Sequence, residues 1–336
     1  MKKLLFLAAG VVMLAACAKT EISTPSSSEV IEISTLYDRI SKSANDTKSD
    51  YVVYAEANNA ATTWLIADTV NTNDEFTSGN IYYWPGETDV TFYAYAPAVF
   101  ANSSSVVTPS FTASNYEANT ITIAYQVPST AKEDFTVATP VKQQSGQVSL
   151  EFTHMLSKLN IKAALSEDLS AYTIDSYGVK FSAPQVAGTA TITDAAPAFT
   201  AATDLSDLTT YSAAADSSVV FMVCPQTSTG CTIQLTDVVI SQNGVEYKTV
   251  DYLAVYTILS GDVDAGEVAT KDAFVSGYQY DITLTITSSS TGGDTGTETD
   301  PVFDDSNKIT LKSSTNSWIT TVASTDVDSP QYSAPE

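Results

Sequence analysis

The feature that most constrains this chain is a recurrence of short runs rich in β-branched and aromatic residues, each bounded by Asn, Asp, Ser, Gly or Pro. Such residues suit a pleated, half-buried surface, while the long Leu, Glu, Lys and Ala stretches that build helices are scarce. The runs fall at 29–37, 51–56, 64–67, 80–84, 90–95 and 120–125. A polar stretch at 140–147 reads as a linker, after which the pattern resumes at 148–163, 177–181, 189–193, 219–223, 232–240, 247–255 and 278–286. Short strands with frequent turn signals predict sandwiches. With 336 residues there is chain enough for two cores. The expectation is therefore an all-β protein with one β-sandwich domain over 29–146 and a second over 147–287. No helix of convincing length is visible, and 155–164 has mixed periodicity.

Beyond residue 287 the composition turns abruptly to Ser, Thr and Gly, which predicts a flexible linker over 288–306. Apolar residues then return in a tail over 307–336, with Ile309 and Leu311 alternating with polar neighbours, followed by Trp318, Ile319 and Val322. A strand-forming segment on a leash has two uses. It returns to its own sheet, or it adds to the edge of another.

At the other end, Lys2 and Lys3 precede an apolar run that closes on Leu14-Ala15-Ala16-Cys17. That is the plan of a cleavable secretory signal over 1–17, too short to span a bilayer. Small residues before a cysteine form a lipobox, in which Cys17 is acylated and becomes the new N-terminus. Each buried methylene of an acyl chain contributes about 0.8 kcal/mol, so several chains on one residue make a firm anchor. The polar residues 18–28 then serve as a tether. The expectation is a lipoprotein that works outside the cytoplasm.

The formal charge is −24, and −26 once a leader carrying Lys2 and Lys3 is lost. A surface so acidic repels polyanions, which excludes nucleic acid as a partner and suits solubility in water. Besides Cys17, only Cys224 and Cys231 are present, flanking a turn-rich segment between two apolar runs. They read as the two strand ends of a hairpin, where a disulfide could form in an oxidising compartment. Parts for chemistry are few. His154 is the one histidine and falls on a predicted strand, so a structural role is expected of it. There is no Gly-x-Ser-x-Gly elbow and no phosphate-binding Gly-rich loop. The acidic stretch 262–267 lacks the full ligand pattern of a calcium loop. We therefore expect no enzyme activity, no metal and no cofactor. Trp64, Trp84 and Tyr82 leave a second class open, a glycan-binding surface lipoprotein, although such rings are more often sandwich core.

Several segments resemble the fimbrillin family, the building subunits of type V pili. Tyr82-Tyr83-Trp84-Pro85-Gly86, leading into a strand that ends Tyr95-Ala96-Pro97, is similar to the family's aromatic-proline turn and Tyr-Ala-Pro strand. Phe152-Thr153-His154 resembles its Phe-x-His strand, Phe221 to Gln226 its apolar strand closing on Pro-Gln, and Gly277-Tyr278-Gln279-Tyr280 its late Gly-x-x-Tyr strand. The resemblance implies two transthyretin-like β-sandwich domains and delivery of the lipidated precursor to the outer membrane. It further implies an arginine-specific protease that cuts after the first strand, and donor-strand exchange with other pilus subunits, supporting adhesion to host proteins or glycans. Arg39 is the sole arginine and follows the first run within a polar stretch, so the implied cut is between Arg39 and Ile40; the alternative for Arg39 is an ordinary surface arginine. The implied donor is the tail segment carrying Ile309, Leu311, Trp318, Ile319 and Val322. Alternative places in such a system are a tip or an anchor subunit.

Overall fold

The computed structural model describes residues 29–35, 49–58, 63–111, 119–128, 132–182, 185–193, 195, 197–202, 211–214, 217–263, 272–287 and 309–317. Among these the chain is built almost wholly of strands, with one 3₁₀ turn at Glu167–Leu169. The first half supplies β1 (Glu32–Thr35), β2 (Tyr51–Ala57), β3 (Ile66–Val70), β4 (Val90–Ala96), β5 (Val106–Ser110), β6 (Thr120–Gln126), β7 (Thr136–Ala138), β8 (Val141–Gln143), β9 (Gln147–Leu150) and β10 (Phe152–His154). The second supplies β11 (Ser157–Leu165), β12 (Tyr172–Ser182), β13 (Ala187–Ile192), β14 (Ala198–Ala201), β15 (Tyr211–Ala214), β16 (Val219–Val223), β17 (Gln226–Thr227), β18 (Thr232–Gln242), β19 (Val245–Thr257), β20 (Ala273–Phe274), β21 (Tyr278–Ile286) and β22 (Ile309–Ser317).

These strands make two β-sandwiches, each with its own apolar core. In the first, the sheet β10-β7-β4-β2-β3, with β8 also paired to β4, is covered on one face by the parallel pair β1-β9. In the second, the sheet β16-β11-β21-β22 faces the sheet β15-β12-β18-β19 across a shared apolar core. A further sheet, β14-β13-β6-β5, draws strands from both halves of the chain, with β6 antiparallel to β13.

Strand β4 shows how sequence becomes architecture. Its residues Val-Thr-Phe-Tyr-Ala-Tyr-Ala are buried at every position. Val90, Phe92, Ala94 and Ala96 enter the smaller core, while Tyr93 and Tyr95 enter the larger one on the opposite face. A strand covered on both faces reads as a continuous apolar and aromatic run rather than an alternation. The ring of Phe100 then joins Tyr95, Tyr125 and Phe135, at centroid distances of 5.5 to 5.9 Å, so aromatic contacts tie the central sheet to the mixed one.

Two expectations are corrected and one open stretch is resolved. Residues 140–147 are not a free linker: β8 pairs with β4, and β9 begins at Gln147, with Gly146 at φ 80° making the turn between them. The run 80–84 is not a strand of a sheet; Tyr83 makes a single bridge to Val30, because the backbone here bonds the chain ahead of β1. The mixed-period residues 155–164 resolve as β11, whose apolar positions alternate against the core.

Candidate functional site

The first strand fills a core while holding a single partner strand among the described residues. Among the described residues β1 pairs only with β9, in parallel, over Glu32↔Gln147, Ile33↔Val148, Ser34↔Ser149 and Thr35↔Leu150. Just ahead of it, Ile31 N–H donates to Tyr82 O at 2.9 Å, and Trp84 N–H donates to Glu29 O at 2.9 Å. Alternation along 29–35 sends two side chains inward, Ile31 at 2% exposure and Ile33 at 4%. They meet Tyr51, Val53, Trp84, Phe92, Val148 and Leu150 in the smaller core. Burying two isoleucines contributes roughly 3–6 kcal/mol before ordering costs. Taking this strand away would uncover an apolar groove floored by β2 and β4 and edged by β9.

A cleft of about 370 Å³ runs beside the strand, between residues 31–34 and the turn formed by Asn73, Asp74, Glu75 and Phe76. The turn is held by Asn71, whose Oδ1 accepts from Asn73 N–H at 2.8 Å and Glu75 N–H at 3.1 Å. Asp74 takes a left-handed conformation, φ 64°. Its carboxylate accepts from Tyr51 Oη–H at 2.8 Å and from Thr35 Oγ1–H at 3.5 Å. Burial, then the Asp74 hydrogen bond and charge, hold the Tyr51 hydroxyl well above the ordinary tyrosine range.

The tail lies at the far end of the molecule's connectivity. β22 is antiparallel to β21 across nine pairs, from Ile286↔Ile309 to Tyr278↔Ser317, and is the outermost strand of its sheet. Leu311 is half-buried against the larger core, whereas Thr310, Lys312 and Ser314 are exposed. The chain thus holds this segment in its own sheet. Cys17, Arg39, Ile40, Trp318, Ile319 and Val322 lie outside the described residues.

Cys224 and Cys231 are buried and not joined in a disulfide, and Cys231 Sγ–H donates to Thr227 O at 3.8 Å. They do not cap one hairpin. Cys224 follows β16 in one sheet and Cys231 leads into β18 in the facing sheet, so their connection crosses the sandwich. Burial pushes the thiols up to about 12 and about 11 respectively. His154 is buried on β10, and its Nδ1–H donates to Asp134, with oxygens at 2.8 and 3.0 Å. Trp84, at 1% exposure, belongs to the smaller core and has no face for a sugar. Trp64 is half-buried, with the rings of Tyr54, Tyr93 and Phe111 at 5.2 to 6.0 Å. Tyr82, half-buried, stacks edge-on with Phe76 and donates to Asp68 at 3.0 Å.

The parallel partner of β1, the strand β9, and the turn at 73–76 were not recognisable as parts of this site from sequence. Their only signal is a partner strand 115 residues away in the register.

Comparison with known proteins places this architecture. The family model described as fimbrillin-like matches residues 39–318. The chain belongs to the fimbrillin-like family. Among solved structures, a candidate cell-adhesion protein of Bacteroides uniformis is 19% identical with a TM-score of 0.51, the match covering 86% of this chain and 98% of that one. The two share a fold. A candidate cell-adhesion protein of Bacteroides ovatus is 16% identical, covering 87% of this chain and 98% of that one, with a TM-score of 0.49. A fimbrial protein of Bacteroides vulgatus is 15% identical, covering 86% and 99%, also with a TM-score of 0.49. No curated protein matches. Membership of the fimbrillin-like family supports a pilus-type structural or adhesin role at the cell surface for this chain.

Proposed function

We propose that this fimbrillin-like chain is a structural subunit of a type V pilus, supporting adhesion. It is exported as a lipoprotein through Cys17, carried to the outer membrane, cut by an arginine-specific protease between Arg39 and Ile40, and joined to other pilus subunits by donor-strand exchange. The observation that carries this reading is β1. It precedes Arg39, plugs the smaller core with Ile31 and Ile33, and pairs with one strand among the described residues. A strand placed so leaves an open edge and two apolar sockets when it departs, which a neighbour's tail can fill by strand addition. The contact is head to tail between unlike surfaces, so repetition gives an open fibre. Arg39→Ala is expected to block polymerisation while leaving the monomer's circular dichroism and melting unchanged. Fibres that form normally from this variant would refute the processing step.

A second reading has its own support. The nine-pair ladder of β22 on β21 keeps the tail in its own sheet, as suits a tip or anchor subunit, or a lipoprotein that does not polymerise and binds glycans. Of the rings considered for glycan stacking, Trp64 and Tyr82 remain. Polysaccharide affinity lost on Trp64→Ala, with no dependence on Arg39, would favour that reading.

A further inference from the structure

Three apolar side chains meet on the outside of the first sandwich. Val30, just ahead of β1, is bridged antiparallel to Tyr83. The flanking bonds, Ile31 N–H to Tyr82 O and Trp84 N–H to Glu29 O, leave Val30 and Tyr83 with no bond between themselves. Such a pair brings its side chains closer than any other in an antiparallel ladder. Alternation sends Ile31 and Trp84 into the core and leaves Val30, Ile81 and Tyr83 outward, at 43%, 63% and 45% exposure. A pair of this kind ordinarily carries polar residues on its wet face. Here both faces are apolar, and the outer one is open to solvent.

Reach along the chain says what the outer face meets. Val30 lies 13 residues after Cys17. A chain of that length extends to about 45 Å at most, so an acyl anchor at Cys17 holds the patch within that distance of the lipid surface. A contact too small to form from solution forms when its partner is tethered, because the tether sets a high local concentration. The division of the patch along the chain points the same way. Val30 precedes Arg39, whereas Ile81 and Tyr83 follow it. A cut after Arg39 therefore takes Val30 away together with the anchor. An interface meant to last in a fibre gains nothing from spanning the cut, whereas a contact used only while the lipid is attached is dismantled by it.

The side chains suit the boundary between headgroups and acyl chains. Tyrosine favours membrane–water interfaces, with its ring toward the apolar side and its hydroxyl among the headgroups, and Val30 and Ile81 add apolar area beside it. Glu32, exposed two residues beyond Val30, and the acidity of the chain as a whole disfavour an anionic surface. We propose that Val30, Ile81 and Tyr83 form a membrane contact that seats the uncut, acylated precursor on a zwitterionic lipid surface. This rests on the lipoprotein reading above. It adds an orientation for the precursor and a second consequence of the cut, which removes the anchor and breaks the contact at once.

The test uses the exported full chain carrying Arg39→Ala, which keeps residues 29–39 attached. It is reconstituted into phosphatidylcholine vesicles that contain a phospholipid with a photoreactive diazirine near its head group, and labelled peptides are read by mass spectrometry. Labelling is expected at 29–31 and 81–83. Ile81→Ser with Tyr83→Ser, both at exposed positions, is expected to lower labelling at 29–31 about tenfold. The doubly substituted protein is expected to float with the vesicles and to melt as its parent does. Labelling confined to other segments, or labelling at 29–31 that ignores the two substitutions, overturns this inference alone. Parent protein that does not float with the vesicles overturns the lipoprotein reading with it.

Discussion

Substituting Ile33 by Ala separates a permanent core residue from a temporary one. At 4% exposure the side chain is inside the smaller core, so its three lost carbons remove about 2.4 kcal/mol of transfer energy. The unfilled space between Val148, Leu150 and Phe92 adds a cavity term, giving about 2.5–4 kcal/mol in all. For a chain of this size that corresponds to a melting temperature lower by about 4–6 °C. This loss belongs to the uncut precursor alone. In a fibre whose subunits start at Ile40 the strand is gone, so the fibre's resistance to denaturant should equal that of wild type. The assay is a urea series on purified precursor and on fibres grown from it, read by tryptophan fluorescence and by the persistence of ladders on gels. A fibre weakened as much as the precursor would show that residue 33 is still present and the strand was never exchanged. A precursor unmoved by the change would contradict the packing itself.

Three further outcomes follow from local geometry. Gly188→Ala should destabilise the protein by about 1–3 kcal/mol in thermal unfolding, since an added Cβ would sit 2.3 Å from Phe199 Cζ and 2.9 Å from the Thr200 carbonyl oxygen. Glu133, whose carboxyl is held above its ordinary value by burial, binds its proton more tightly folded than unfolded, so its contribution falls as pH rises through the folded pKa. Glu133→Gln should accordingly stabilise at neutral pH, with the gain vanishing below the unfolded value, measured as melting temperature against pH. Cys224 and Cys231, buried and with thiols pushed up to about 12 and about 11, should resist iodoacetamide in the native protein and react fully in urea; rapid native labelling would contradict their burial.

Much of this fold was legible because β-branched and aromatic runs report strands directly. The runs at 51–56, 90–95, 120–125, 219–223 and 278–286 became β2, β4, β6, β16 and β21 with small shifts at their ends. Pairing was not legible, because hydrogen-bond partners leave no trace in a single sequence. Nothing in Thr120–Gln126 announces that its neighbour is Ala187–Ile192, or that both belong to a sheet shared between the halves. The cysteines misled for the same reason: a turn between two apolar runs looks like a hairpin whether the second run returns to the same sheet or crosses to the facing one. Polar composition likewise suggested a linker at 140–147, whereas a strand as short as β8 pairs through its backbone with only Val141 packed against the core. Of the groove, Ile31 and Ile33 were readable as a strand's inward face. The acidic turn that flanks them was not, since its meaning depends on which strand lies beside it.

The most direct test of the central claim is N-terminal sequencing of the protein recovered from the cell surface. Surface material is expected to begin at Ile40, with Cys17, Ile31 and Ile33 left behind in processing. Acylated Cys17 on every surface molecule would contradict it and assign the chain to a retained, non-polymerising or anchoring role.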